Sequence, residues 1–279
     1  MTITTRDQLI NALGNNSSRV ILDKAPITSQ TAGSFASTWR ATGMPGQGAI
    51  PAATAACINT TTGAINFTQQ VSPATSYLAY LESMNSNAAM TLEIHDRLAH
   101  RGGLNGTLTT AQTVSMDFST LSGSNNIAAR MGDANYSDIQ WWLEWYTATG
   151  STAVTATIAV TYNDGTTGNL SAVSLAATRP ASHMIPLNGY IPSAAAGKYI
   201  RAVNTVTLSA TTATAGSFGV TATRIRASQG TPIANYKTQS DWAQLGLPEI
   251  VNSSCLFVIM LCSTTSTGII RGGGKIIHG

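Results

Sequence analysis

Apolar residues recur at every second position through much of the chain, which is the period of a strand with one buried face. From Ile139 onward, Ile139, Trp141, Leu143 and Trp145 fall on one face, and Val154, Ala156, Ile158, Val160 and Tyr162 do the same in the following segment. The short polar stretch between them ends in Gly150, so the pattern predicts a β-hairpin with Gly150 supplying positive φ in a tight connection. Trp141 and Trp145 are assigned to the core, which leaves Trp142 and Tyr146 on the opposite face beside Glu144.

Similar segments extend on both sides. Val20 to Leu22, Tyr77 to Glu82, Met90 to Leu98, Tyr199 to Ala210 and Phe218 to Ile225 read as strands, and Ala55 to Phe67 as a second hairpin. Met90 to Leu98 is expected to break at Arg101-Gly102-Gly103, and 117–137 to form a loop. Asn163-Asp164-Gly165 is a turn signal, because its residues tolerate left-handed backbone. Cys255 to Cys262 is apolar without alternation, which predicts a strand covered on both faces, in the middle of a sheet or in an interface. Ile269 to Ile277 is expected to return from it as a closing hairpin, bulged at Gly272, Gly273 and Gly274.

Helical periodicity is scarce. Thr5-Arg6-Asp7-Gln8 has the form of a capping box and precedes Leu9, Ile10 and Leu13, which predicts one short helix that must dock on something to persist. A shorter helix is suggested at Ser240 to Leu245. Between Pro26 and Pro51 the chain is rich in Gly, Ser, Thr and Pro, with Phe35 and Trp39 as its aromatic side chains. The expected architecture is therefore all-β: an antiparallel, jelly-roll-like β-sandwich over 51–279, preceded by an arm with a short helix over 1–50. Leu9, Leu13, Phe35 and Trp39 would hold the arm to the body or to a neighbouring subunit.

Composition bears on partners. Charged residues make up 10% of the 279, and the net charge is +3 without a basic stripe, which argues against nucleic acid. A surface so poor in charge fits a chain that spends its life packed against copies or partners. No apolar run approaches the length of a bilayer span, and Met1 to Asp7 shows no basic region followed by an apolar one. Cytoplasmic synthesis without membrane association is the expectation. Cys57, Cys255 and Cys262 lack framework spacing and read as reduced and buried.

No constellation dictates a chemistry. His95 and His100 flank Asp96 but point to opposite faces of a strand, with no further ligand to complete a metal set. Glu144 among tryptophans invites comparison with glycosidases, yet Asp138 lies roughly 20 Å away on an extended strand. Trp142 and Tyr146 could instead stack on a sugar ring without catalysis. Arg201, Arg224 and Arg226 form at most a small positive strip for an acidic partner. No catalytic, cofactor or metal residue is predicted, and the expected interface residues are Leu9, Leu13, Phe35, Trp39, Trp142 and Tyr146.

Several stretches resemble a group of tailed-bacteriophage virion proteins: His95-Asp96-Arg97-Leu98 through Thr113, Trp142-Leu143-Glu144-Trp145-Tyr146 through Tyr162, Ala215 to Val220, and Cys255 to Ile277. The resemblance implies a non-enzymatic structural role on the phage head, as a decoration or cement protein. Such a protein would bind the major capsid protein and copies of itself, with a trimer expected. The alternative it leaves open is a receptor- or carbohydrate-binding spike or tail component.

Overall fold

The computed structural model describes residues 2–279. The chain runs α1 (Arg6–Asn15), β1 (Ser17–Lys24), β2 (Phe35–Ser37), β3 (Gly43–Met44), β4 (Ala55–Ala56), β5 (Ser76–Asn85), β6 (Met90–Asn105) and β7 (Gln112–Asp117). It continues through α2 (Phe118–Leu121), α3 (Ile127–Met131), β8 (Gln140–Trp145), β9 (Val154–Tyr162), β10 (Thr167–Asn169), β11 (Val173–Leu175), β12 (His183–Pro186) and β13 (Ile200–Leu208). The last elements are β14 (Ser217–Thr231), β15 (Thr238–Ser240), α4 (Trp242–Leu245), β16 (Glu249–Ile250), β17 (Leu256–Cys262) and β18 (Ile270–His278). Strands dominate, they pair antiparallel, and the helices are short, so the protein is all-β.

The chain folds into two compact units. One comprises Met1–Ala49, Ile58–Asp96 and Ile225–Gly279; the other comprises Ile50–Cys57 and Arg97–Arg224. In the first, β15, β5, β18, β1 and β3 lie side by side with β16 also on β5, while β17 pairs with β2 and with the start of β6. Val20, Leu22, Leu78, Leu81 and Ile276 from one layer meet Leu92, Ile94, Leu256, Val258 and Met260 from the other in one core. In the second unit, β10, β9, β13 and β7 form one layer, with β11 also on β9, and β8 pairs with β12 and with the start of β14. Trp141, Leu143, Trp145, Phe218 and Val220 face Ile158, Val160, Val203 and Val206 across that core. Each unit is a sandwich because its strands alternate and each layer has an apolar face to bury.

Helix α1 carries the capping box anticipated at Thr5 and Gln8, and its Leu9 and Ala12 pack on Ala79 and Ile277. The rest of the expected arm is not separate from the body. β1 runs in register along β18 from Ser17 opposite Ile277 to Lys24 opposite Ile270, with Val20, Leu22 and Lys24 turned inward. The boundary drawn at residue 50 therefore does not mark off an arm, because one face of β1 is too apolar to stay exposed. At its end the Lys24 ammonium is buried and donates to the carbonyls of Pro45 (2.7 Å), Ala41 (2.9 Å) and Gly46 (3.3 Å). Burial without a carboxylate lowers its pKa to about 8.

The predicted faces hold, but several predicted partners do not. β8 and β9 form no hairpin: β8 pairs with β12 and β14, and β9 with β10, β11 and β13, so the two strands face each other across the core. Gly150 is needed for a close approach rather than for positive φ, since a Cβ there would lie 2.1 Å from the Thr212 carbonyl oxygen. Likewise β17 and β18 belong to different layers, and Ala55–Ala56 pairs with β6 instead of folding back on 64–67. β6 runs unbroken through Gly102 and Gly103, and the segment after β7 contains α2 and α3. β17 itself lies between β2 and β6, as its continuous hydrophobicity requires.

β18 lies between β5 and β1, and its glycines are set by that crowding. A Cβ would stand 2.0 Å from the Glu82 carbonyl oxygen at Gly272, 2.6 Å from that of Val20 at Gly273 and 2.8 Å from that of Tyr80 at Gly274. The Gly272→Ala variant is expected to lose about 1–3 kcal/mol in urea unfolding, because backbone on the neighbouring strand must move. Gly14→Ala, in α1 with nothing within 4 Å of the added carbon, is expected to gain up to about 1 kcal/mol. Equal effects at both positions would refute the crowding argument.

Candidate functional site

In the second unit a charged cluster forms around Glu144 on β8. Its carboxylate Oε2 lies 2.6 Å from Arg97 Nη2 on β6, and Nη1 is 3.3 Å from Oε1, so the guanidinium grips the carboxylate as a fork. Thr221 on β14 and the Tyr146 hydroxyl also donate to Oε2. Arg97 Nη2 is within 3.1 Å of both hydroxyl oxygens, and its Nε donates to His100 Nδ1 at 3.0 Å. Arg130, set by α3, donates to the carbonyls of Cys57 (2.8 Å) and Arg97 (3.1 Å), fixing the backbone that carries the guanidinium.

The whole cluster is withdrawn from water: Glu144 is 1% exposed, Trp142 2% and Tyr146 4%. Burial, the largest single influence, would lower the Arg97 pKa, but the Glu144 carboxylate together with smaller contributions from its neighbours makes the net shift upward. Burial, and then the same carboxylate, raise that of the Tyr146 phenol. Glu144 is thus bound as an anion by one guanidinium and two hydroxyls. Asp138, the other carboxylate considered with it, is paired to Arg224 at 2.9 Å.

The expected outward pair, Trp142 and Tyr146, therefore offers no platform to a sugar. Trp142 Nε1 donates to Thr223 Oγ1 at 2.8 Å, and Tyr146 belongs to the Arg97 cluster. The alternation of β8 correctly separates them from Trp141 and Trp145, but both faces of the strand are covered. Trp39 is similarly enclosed: its indole donates to the Ala49 carbonyl at 2.9 Å and meets Phe257 edge-on at 6.0 Å. Leu9 is buried within its own chain, whereas Leu13 and Phe35 are half-buried. Of the six residues expected at an interface, the four buried ones have no surface left for a neighbour.

The remaining candidates are also engaged internally. His95 contacts Glu93 at 2.9 Å, with its pKa lowered by burial against the pull of that carboxylate, and Asp96 accepts from the Cys255 amide. His100 is held by Arg97. Among the described residues no three His, Cys, Asp or Glu side chains converge as metal ligands. Arg201 pairs with Asp117 at 3.2 Å and Arg224 with Asp138, so the expected positive strip is largely neutralised. All three cysteines are buried.

Sequence reasoning missed His183, on β12. Arg179 Nη1 lies 2.7 Å from its Nε2, and Trp145 meets the ring edge-on at 5.8 Å. A nitrogen that accepts from a guanidinium carries no proton, so the neutral ring bears its hydrogen on Nδ1. Burial, and then the Arg179 charge, lower the His183 pKa to about 4.

The chain matches no protein-family model and no curated protein. Among solved structures it is similar to the VP2 subviral particle of infectious bursal disease virus, at 11% identity over 95% of this chain and 80% of that one, with a TM-score of 0.17. The T13 particle of the same virus aligns at 9% identity over 94% of this chain and 78% of that one, also with a TM-score of 0.17. Scores this low mean that the chains do not superpose, and the alignments carry no weight for role.

Two measurements probe the cluster and the histidine. Glu144→Gln leaves the Arg97 charge buried and uncompensated, and should cost about 3–5 kcal/mol in denaturant unfolding. The double variant Arg97→Met with Glu144→Leu should recover much of that loss, whereas Asp138→Asn at the surface pair should shift the midpoint far less. A Glu144→Gln midpoint at the wild-type value would show the pair to be dispensable. For His183, the folded pKa lies below the unfolded one near 6.5, so its contribution is complete above about pH 6.5. That contribution is lost as pH falls towards 4, on the order of 2–3 kcal/mol in all. His183→Phe should flatten the stability curve between those pH values, and an unchanged slope would remove the residue from the account.

Proposed function

We propose that this chain is a non-enzymatic structural protein of a virus particle, and specifically a decoration or cement protein that binds a capsid lattice and copies of itself. The observation that carries the reading is the character of the surface. Charged residues are 10% of the chain, and large apolar side chains, among them Ile10, Ile21, Met44, Val71, Ile233 and Tyr236, stand exposed. A surface with so little charge does little to keep a chain dispersed, and is accounted for by a surface that other subunits cover.

The interior supports the same role. The cluster that holds the most distinctive charged side chains of the second unit is sealed by its own hydrogen bonds, which gives it the work of aligning strands. The resemblance of His95 to Thr113 and of Trp142 to Tyr162 to tailed-phage virion proteins adds the particle to this picture. A cement protein acts by burying modest areas at many equivalent junctions, so that weak contacts sum through multivalency.

An antibody raised against the purified chain is expected to label intact virions at many copies per head. Stripping the protein should lower the temperature at which heads release their contents, and adding it back should restore that temperature. Heads that neither carry the label nor respond to the added protein would reject the reading.

A further inference from the structure

One end of the first unit carries two neutral features side by side. The first is a groove of about 830 Å³ where β6, β14 and β17 meet, lined by Met90, Thr91, Thr231, Pro232, Leu261 and Cys262 among others, with no charged residue in its wall. The second is the turn from Pro232 to Lys237 that leads from β14 to β15. It raises Ile233 and Tyr236 into solvent, 60% and 53% exposed. The turn is firmly set, since the Asn235 amide donates to the Asn85 carbonyl at 2.7 Å. Its one charge, Lys237, is folded back 2.6 Å onto Glu82, so the projecting tip is uncharged.

We propose that this end of the molecule is a two-fold contact between copies of the chain, the Ile233–Tyr236 turn of each copy seated in the apolar groove of the other. The inference rests on the reading of the protein as a self-associating structural subunit. Pro232 and Thr238 both line the groove and flank the turn, so knob and hole lie on one contiguous patch. A contiguous, self-complementary patch is what an isologous interface requires. A neutral tip and an uncharged wall can meet without stranding a charge, which a charged partner surface could not do. The two side chains offer on the order of 200 Å² between them, against about 800 Å² per partner in a stable complex. The contact is therefore weak alone and concentration-dependent, as a repeated junction in an assembly needs to be.

Sedimentation velocity of the full-length protein across a wide concentration range tests this with two variants. Tyr236→Lys charges the knob. Gly230→Trp fills the groove from a position where an added Cβ meets nothing within 4 Å. Each variant alone is expected to weaken self-association about tenfold or more. An equimolar mixture should recover part of it, because the intact knob of one variant fits the open groove of the other. Arg6→Ala, at a charged and exposed side chain at the start of α1, should leave association unchanged. Circular dichroism establishes that the variants are folded, and Ile233→Lys carries the same test should Tyr236→Lys misfold. Wild-type association that both variants retain would overturn this contact while leaving the self-assembling reading intact. A wild-type protein that stays monomeric at every concentration would overturn both.

Discussion

A guanidinium and a carboxylate taken out of water repay their desolvation only when every donor and lone pair is met, and Arg97 with Glu144 meets that demand from several strands at once. Glu144 comes from β8, Arg97 from β6 and Thr221 from β14, with Tyr146 just beyond the end of β8 and Arg130 reaching in from α3. Displacing any of these strands by one residue would turn a charge into the apolar core or leave it unmatched, since neighbouring positions on a strand face opposite ways. Hydrophobic burial alone would tolerate such slips among the many valines, alanines and threonines of this chain. The charged cluster makes one register of β8 on β14 far better than its neighbours.

Alternation showed which way side chains point but not which strands pair. Ile139, Trp141, Leu143 and Trp145 were assigned to the core from spacing alone, and they are there; so are Val154, Ala156, Ile158, Val160 and Tyr162. Yet two consecutive amphipathic strands satisfy the same pattern whether they lie side by side or face each other across a sandwich. Gly150 could not decide between these, because a glycine demanded by crowding against Thr212 looks the same in sequence as one demanded by positive φ. The three glycines of β18 posed the same ambiguity. By contrast, the unbroken apolar run of β17 and the capping box of α1 have one physical solution each, and both were legible.

The candidate site was harder to read for a related reason. Trp142, Glu144 and Tyr146 share the face of β8 that alternation leaves polar, and in an ordinary strand that face meets water. Here it meets Arg97, Thr221 and Thr223. The available signal was the placement of Glu144 within the otherwise largely apolar segment Trp141 to Tyr146 of a chain with few charges. A charge retained in such surroundings calls for an opposite charge beside it.

The place of β18 between β5 and β1 has a consequence in time. The glycine strand completes the central layer of the first unit by pairing with β1, which leaves the ribosome some 250 residues earlier, about 10–50 s at ordinary elongation rates. Throughout that interval β1 has its longest neighbour missing, while the second unit, encoded by residues 50–57 and 97–224, has all its strands available to one another. The middle of the chain can thus consolidate first, and the two ends meet only after the last strand has emerged. This order keeps the first unit, with the apolar turn and groove on its surface, incomplete until synthesis has passed its final strand.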